Sequence, residues 1–350
     1  MALVTRTCFV HIGTHKTGST ALQFFLDENR TAFDEAGLGV LRTGRDSLHW
    51  LNHDLAWELI AGKNMVQLRA LEQELRGLSS AHAILTSEDF SLLHDRPDAI
   101  ERLTSAIRRT GFRPVIIVYL RDQASYADSM YGQRFRSGEP IAPFPAFIRA
   151  ILDTGTFQLE NGGAVEFDYE RLLAPFEALV GMTDVAVRAY ALPAHPGHIY
   201  RDFLGTLVSF EPGLPLASIP LNVTYATVNE RLPFAAVLGT MHNRLLPHVP
   251  LPEDPADFLR MHAPELPPEV GFGAYALLTY EESVAILERF AAPNARVAQR
   301  YGVALPFVNP HEMVRSDDPR CALARIERPI YDRCYDAWAR QRDAGQPPRE

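Results

Sequence analysis

The stretch FVHIGTHKTGST, residues 9–20, decides how the rest of the chain is read. An apolar run breaks into glycine, lysine and hydroxyl side chains, the build of a phosphate-binding loop between a strand and a helix. The loop that holds nucleoside triphosphates, G-x-x-x-x-G-K-[ST], carries its lysine after the last glycine. Here Lys16 stands before Gly18. The anion is therefore open to a chemistry other than a triphosphate.

Working outward, residues 8–13 read as a short apolar strand, and Leu22, Phe25, Leu26 and Phe33 follow at helical spacing. AHAILT (81–86) is a second strand, reached through a helical stretch containing MVQLRALEQEL. PVIIVYL (114–120) is continuously apolar, as expected of a strand buried on both faces of a parallel sheet. AVEFDY (164–169) and DVAVRAYA (184–191) supply two more. Strands alternating with helices predict an α/β fold with a doubly wound, mainly parallel sheet.

Past residue 205 the character changes. Seven prolines between Pro247 and Pro268 predict an irregular excursion. TYEESVAILERFAAPNARVAQRYG (279–302) predicts a helix broken before Pro293, and the tail RDAGQPPRE is expected to be loose. The expected organisation is an α/β core over residues 1–205 with a helical, proline-rich part over 206–350 packed on it, the two forming one domain.

Composition excludes several classes. The 350 residues are 47% hydrophobic and 22% charged, an ordinary soluble globular composition. A formal charge of -9 argues against general affinity for nucleic acid or an anionic membrane, so an anion site must be a focused pocket. No apolar run approaches the ~18 residues of a membrane span. The segment MALVTRTCFVHIG reads as the first strand rather than a signal peptide. Cys8, Cys321 and Cys334 make neither a disulfide framework nor a zinc pattern, which suits a reducing cytosol. In that compartment the glycosylation-type triplets at Asn29 and Asn222 carry no meaning.

The chemistry gathers at strand ends, where an open α/β sheet places its ligand crevice. Backbone N–H groups from Lys16 to Thr20 start a helix, whose N-terminus is a ready anion site. Lys16 adds a charge, and Thr17, Ser19 and Thr20 add hydroxyls. The plainer alternative is a Ser/Thr-capped helix with a solvated lysine. In VYLRDQASYADSMYGQ (118–133) a strand runs into Arg121, and Ser129 follows eight residues later, where a helix could bring it beside the same anion. Alternatively Arg121 pairs with Asp122 or Asp128.

Taken together, these segments resemble the sulfotransferases that use 3′-phosphoadenosine 5′-phosphosulfate (PAPS). KTGST is similar to their 5′-phosphosulfate loop, and Arg121 with Ser129 matches their 3′-phosphate pair in type and spacing. HIGTHKTGSTALQ and LRDQASYADSMYGQ resemble the bacterial branch most. Tyr169 in FDYERLL resembles a turn whose tyrosine packs near the adenine, and RDFLGTLV, LNVT and RFAAPNARVAQRYG resemble looser segments. His15 stands where the family often has proline, and surface exposure is its plain expectation.

The resemblance implies a P-loop-like fold that binds PAPS through the loop from His15 to Thr20, Arg121, Ser129 and Tyr169, and releases 3′-phosphoadenosine 5′-phosphate (PAP). No metal is expected. Transfer should pass through a loose, in-line transition state, with Lys16 meeting charge on the leaving phosphate oxygen. A base must take the acceptor's proton. Glu88 in ILTSEDF comes first, at a strand end where related enzymes place His or Glu, with Ser87 or Asp89 to orient it; the alternative is a helix-capping cluster. His53 is the rival, four residues after His49 and on the same helix face. The resemblance implies a bacterial glycan or glycolipid as acceptor, in the cytoplasm; protein tyrosine and small phenols stay open. A P-loop kinase and a non-catalytic nucleotide-binding module are the alternative functions.

Overall fold

The computed structural model describes residues 6–45, 52–137, 144–159, 162–190, 198–221, 277–305, 310–317, 324 and 328. In chain order the elements are β1 (Arg6–His11), α1 (Ser19–Glu28), α2 (Arg30–Glu35), β2 (Leu38–Val40), α3 (His53–Ala61), α4 (Val66–Gly77), β3 (His82–Thr86), α5 (Pro97–Arg109) and β4 (Phe112–Leu120). They continue with α6 (Gln123–Ser137), α7 (Phe144–Thr154), β5 (Thr156–Gln158), β6 (Ala164–Glu166), α8 (Tyr169–Val180), β7 (Val185–Ala189), α9 (His198–Phe210), α10 (Tyr280–Tyr301) and α11 (Pro310–Met313). Two compact units divide the chain. The first is Met1–Arg121, Asn161–Ala226 and Ala292–Val308; the second is Asp122–Glu160, Thr227–Ala291 and Asn309–Glu350.

The first unit holds a five-stranded sheet in the order β2-β3-β1-β4-β7, parallel at every pairing. The parallel α/β architecture expected from the sequence is therefore present. Alternate residues of the central strands, Phe9, Val115, Ile117 and Tyr119, form one buried cluster with Leu22, Phe25 and Leu26 of α1, Phe33 of α2 and Phe203 and Leu207 of α9. Helices α5 and α8 pack against β4, and none of their buried side chains belongs to that cluster. The sheet is thus covered on both faces, which is why PVIIVYL is apolar at consecutive positions.

β1 is central, with β3 on one side and β4 on the other. His11 is level with Thr86 of β3 and Ile117 of β4. β4 runs on for another three residues to Leu120, and the chain leaving β1 stays bonded to it through Ile12 N to Ile117 O (2.9 Å), Tyr119 N to Gly13 O (2.9 Å) and Thr14 N to Tyr119 O (3.1 Å). On the other side Ser87 N donates to His11 O at 3.1 Å. The start of the loop is consequently pinned along both edges before it turns.

Several expectations change. The segment 164–169 is a strand only over Ala164–Glu166, outside the five-stranded sheet, and Tyr169 is the first residue of α8. Asp168 ends the strand by capping the helix, its carboxylate accepting from Glu170 N and Arg171 N. The expected break before Pro293 does not occur: α10 runs through it, and buried Ile286, Leu287, Phe290 and Val297 supply packing that offsets the missing hydrogen bond. The strand β2 was not foreseen; three residues are too few to show a period. The proline-rich segment 247–268, the tail, His49, Asn222, Cys321 and Cys334 lie outside the described residues.

The described part of the second unit is mainly helical. Tyr131 of α6 stacks edge-on against Phe144 of α7 at 4.8 Å between ring centres, and Phe147 meets Phe157 of β5 at the same separation. Asp128 of α6 accepts from Leu277 N at 2.8 Å.

Candidate active site

The loop between β1 and α1 holds three left-handed residues, Gly13, Lys16 and Gly18. Lys16 has φ 62°, uncommon for a side-chain-bearing residue, and Gly18 has φ 79°. Gly18 is the N-cap of α1 and no side chain caps the helix, so the first-turn N–H groups have no local acceptor of that kind. A Cβ on Gly18 would stand 2.6 Å from Ile199 Cδ1 and 3.2 Å from Tyr190 Cε2, so the position needs glycine for space as well as for conformation. Gly13, φ 80°, is equally constrained: a Cβ there would lie 2.7 Å from Glu88 Cβ and 2.8 Å from Glu88 Cα.

The hydroxyls assigned to the loop separate. Thr17 is buried and donates to Thr14 O at 2.5 Å, so its proton is used to close the turn. Ser19 is buried and Thr20 half-buried at the start of α1. Arg121, half-buried past the end of β4, donates from Nη1 to Lys16 O at 3.2 Å. It thus supports the loop that carries the lysine instead of pairing with an aspartate. Its guanidinium carbon is 5.9 Å from the centre of the Tyr190 ring. Tyr169 is fully buried and its hydroxyl donates to Arg121 O, which makes it a brace under the strand end. Ser129 is half-buried on α6, in the second unit.

Beside the loop lies the turn after β3. Ser87 caps a 3-10 helix, Glu88–Leu93, by accepting from Asp89 N at 3.2 Å. The capping role read into SED therefore belongs to Ser87. Glu88, half-buried, accepts from Gln23 Nε2 of α1 at 2.9 Å. His53 opens α3, and its Nδ1 lies 2.6 Å from Asp89 Oδ2 and 3.0 Å from Ser87 Oγ. Asp89 Oδ1 is 3.0 Å from His15 Nε2. His15 is only 6% exposed, contrary to its expected place on the surface, and its buried ring is hydrogen-bonded to this carboxylate.

Burial alone would raise the Asp89 carboxyl, but hydrogen bonds from the His15 and His53 rings hold it well below the usual carboxylate range. His11 of β1, wholly buried and hydrogen-bonded through Nδ1 to Thr86 Oγ1 at 2.9 Å, is lowered to about 4 by burial and stays neutral. Gln23 carries no motif of its own in the sequence. Asp89, read there as a residue to orient Glu88, faces His15 and His53 instead.

Among the described residues no group of three His, Cys, Asp or Glu side chains is placed to hold a metal ion, and no helix is long and apolar enough to cross a membrane. A groove elsewhere in the first unit is lined by Glu170, Glu177, Arg296 and Arg300, in which the arginines pair with the glutamates. It shares no residue with the loop.

No family model matches the chain, and no curated protein matches it. Among solved structures the chain is similar to the mouse sulfotransferase SULT7A1 complexed with PAP, at 14% identity and a TM-score of 0.32, over 60% of this chain and 58% of that one. The match thus spans little more than half the length of that neighbour.

Proposed function

We propose that the chain is a sulfotransferase that moves the sulfuryl group of PAPS to an acceptor hydroxyl, releasing PAP. The observation that carries this reading is the β1–α1 loop: a helix start without a side-chain cap, behind left-handed Lys16 and Gly18, with Arg121 under the lysine carbonyl. A helix start without a side-chain cap, its positive end, Lys16 in the loop and Arg121 bonded to the Lys16 carbonyl suit a phosphosulfate. The lysine before the glycine sets the loop apart from one that grips a triphosphate. A bacterial glycan or glycolipid is the proposed acceptor, by the resemblance of the two motifs.

In the reaction the acceptor oxygen attacks sulfur in line, the sulfur–oxygen bond to the 5′-phosphate breaks, and the leaving oxygen keeps the electron pair. Lys16 and the α1 N–H groups meet that charge. The proton acceptor comes from the turn after β3. Glu88 follows the strand directly, but its carboxylate is engaged by Gln23 Nε2 of α1. His53 is held in one orientation by Asp89, and that contact favours it as the base.

Thermal melting with PAP, compared with ATP plus Mg²⁺, tests the donor, because only a ligand of the native state raises the melting temperature. A shift with PAP and turnover of labelled PAPS are expected. A shift with ATP alone would turn the reading to a kinase, and binding without turnover to a nucleotide-binding module.

A further inference from the structure

The geometry points to Asp89 as a positioning residue that ties the base, His53, to the anion loop through His15. The inference rests on the sulfotransferase reading for what the two ends do. One buried carboxylate reaches two imidazoles: Oδ2 is 2.6 Å from His53 Nδ1 on α3, and Oδ1 is 3.0 Å from His15 Nε2 in the loop. An ionised carboxylate only accepts, so both facing ring nitrogens carry protons. The basic nitrogen of His53 is then Nε2 and that of His15 is Nδ1, which is buried without a hydrogen-bond partner among the described residues.

The arrangement is held from behind. Asp89 N donates to Ser87 Oγ at 3.2 Å, and that hydroxyl lies 3.0 Å from His53 Nδ1, so the backbone, the carboxylate and the ring form one closed set of contacts. His15 shares a peptide bond with left-handed Lys16. Holding the His15 ring therefore restricts the residue that faces the leaving group, while the other oxygen of Asp89 orients the group that removes the proton. In the transfer step the acceptor oxygen bonds to sulfur, its proton passes to His53 Nε2, and the imidazolium formed is stabilised by Asp89. The electron pair of the broken sulfur–oxygen bond leaves on PAP. A carboxylate that fixes an imidazole tautomer and stabilises its charged form is a general device of acid–base catalysis.

The test uses the full chain with PAPS as donor and water or a simple phenol as acceptor. Asp89→Asn keeps size and removes charge. PAP affinity by calorimetry should change by less than about threefold, while kcat falls ~10²–10⁴-fold with KM for PAPS little moved. The loss should not add to that of His53→Asn in the double variant, since both remove one function. Multiplicative losses, or turnover and PAP affinity falling together, would overturn the assignment. Nitrogen-15 spectra of the wild-type histidines provide a reading independent of turnover. His53 protonated at Nδ1 and bare at Nε2 supports the joint, and the opposite tautomer overturns it. If the wild type neither binds PAP nor cleaves PAPS, the sulfotransferase reading fails, and the spectra still decide whether Asp89 holds His53.

Discussion

The turns after β1 and β3 leave neighbouring parallel strands at the same level, His11 beside Thr86, yet are built in opposite ways. The first ends in a helix that no side chain caps and holds Lys16 in a left-handed conformation. In the second, Ser87 caps, Asp89 meets two histidines and Gln23 meets Glu88. A helix start that no side chain caps suits an anion, whereas side chains bonded to one another keep a fixed geometry. One turn is therefore suited to grip and the other to orient.

The sharpest way to break this comparison is to attack the orienting turn. His53→Asn should lower the sulfuryl-transfer rate ~10²–10⁴-fold with donor binding kept, and Glu88→Gln should do much less. Rate measurements on the two folded variants decide between them; the reverse order would move the base to Glu88.

Next comes the seam between the turns. Gly13→Ala places a Cβ 2.7 Å from Glu88 Cβ at a φ of 80°, and neither backbone can yield freely. Strain and overpacking together should destabilise the fold by ~2–5 kcal/mol. Denaturant midpoints read the loss, and a midpoint within error of wild type would show that the seam is loose.

On the gripping side, Arg121→Ala removes a charge and the bond to Lys16 O. PAP affinity should weaken by ~1.5–3 kcal/mol, roughly ten- to hundredfold. Calorimetry with unchanged affinity would remove Arg121 from the donor site.

The smallest effect contrasts two buried carboxylates. Asp89 has two imidazole partners and is held low, whereas burial raises Glu166 to about 7 despite Arg171 at 2.9 Å, because that arginine is half exposed and its charge is screened. A carboxyl raised in the folded state stabilises most below its unfolded value near 4.3, and that stability is lost as pH rises towards about 7. Glu166→Gln should therefore gain ~1–2 kcal/mol on wild type between pH 5 and pH 8. Parallel stability curves for the two proteins would show that Glu166 ionises freely.

Legibility in the sequence followed the range of the interaction. The central strands were readable because continuous apolar runs report burial on both faces, and the loop because glycine, lysine and hydroxyls punctuate it locally. Helix α10 was readable in extent but not in continuity, since the penalty at Pro293 depends on what Phe290 and Val297 pack against. Tyr169 reads as the end of a strand because Phe167 and Tyr169 alternate with a polar residue; that residue, Asp168, caps a helix that begins at Tyr169.

By itself the sequence determined the parallel α/β sheet, the place of the Lys16 loop and the strand end at Arg121, all set by residues within a few positions of one another. Only the tertiary structure decided that Asp89 joins His15 and His53, that Tyr169 braces Arg121 and that Arg121 holds the carbonyl of Lys16. Residues 15 and 89 are 74 positions apart, and 16 and 121 are 105 apart. Such pairs meet only because the sheet order sets β1 between β3 and β4, and a period of two or 3.6 residues along the chain carries no information about strand order.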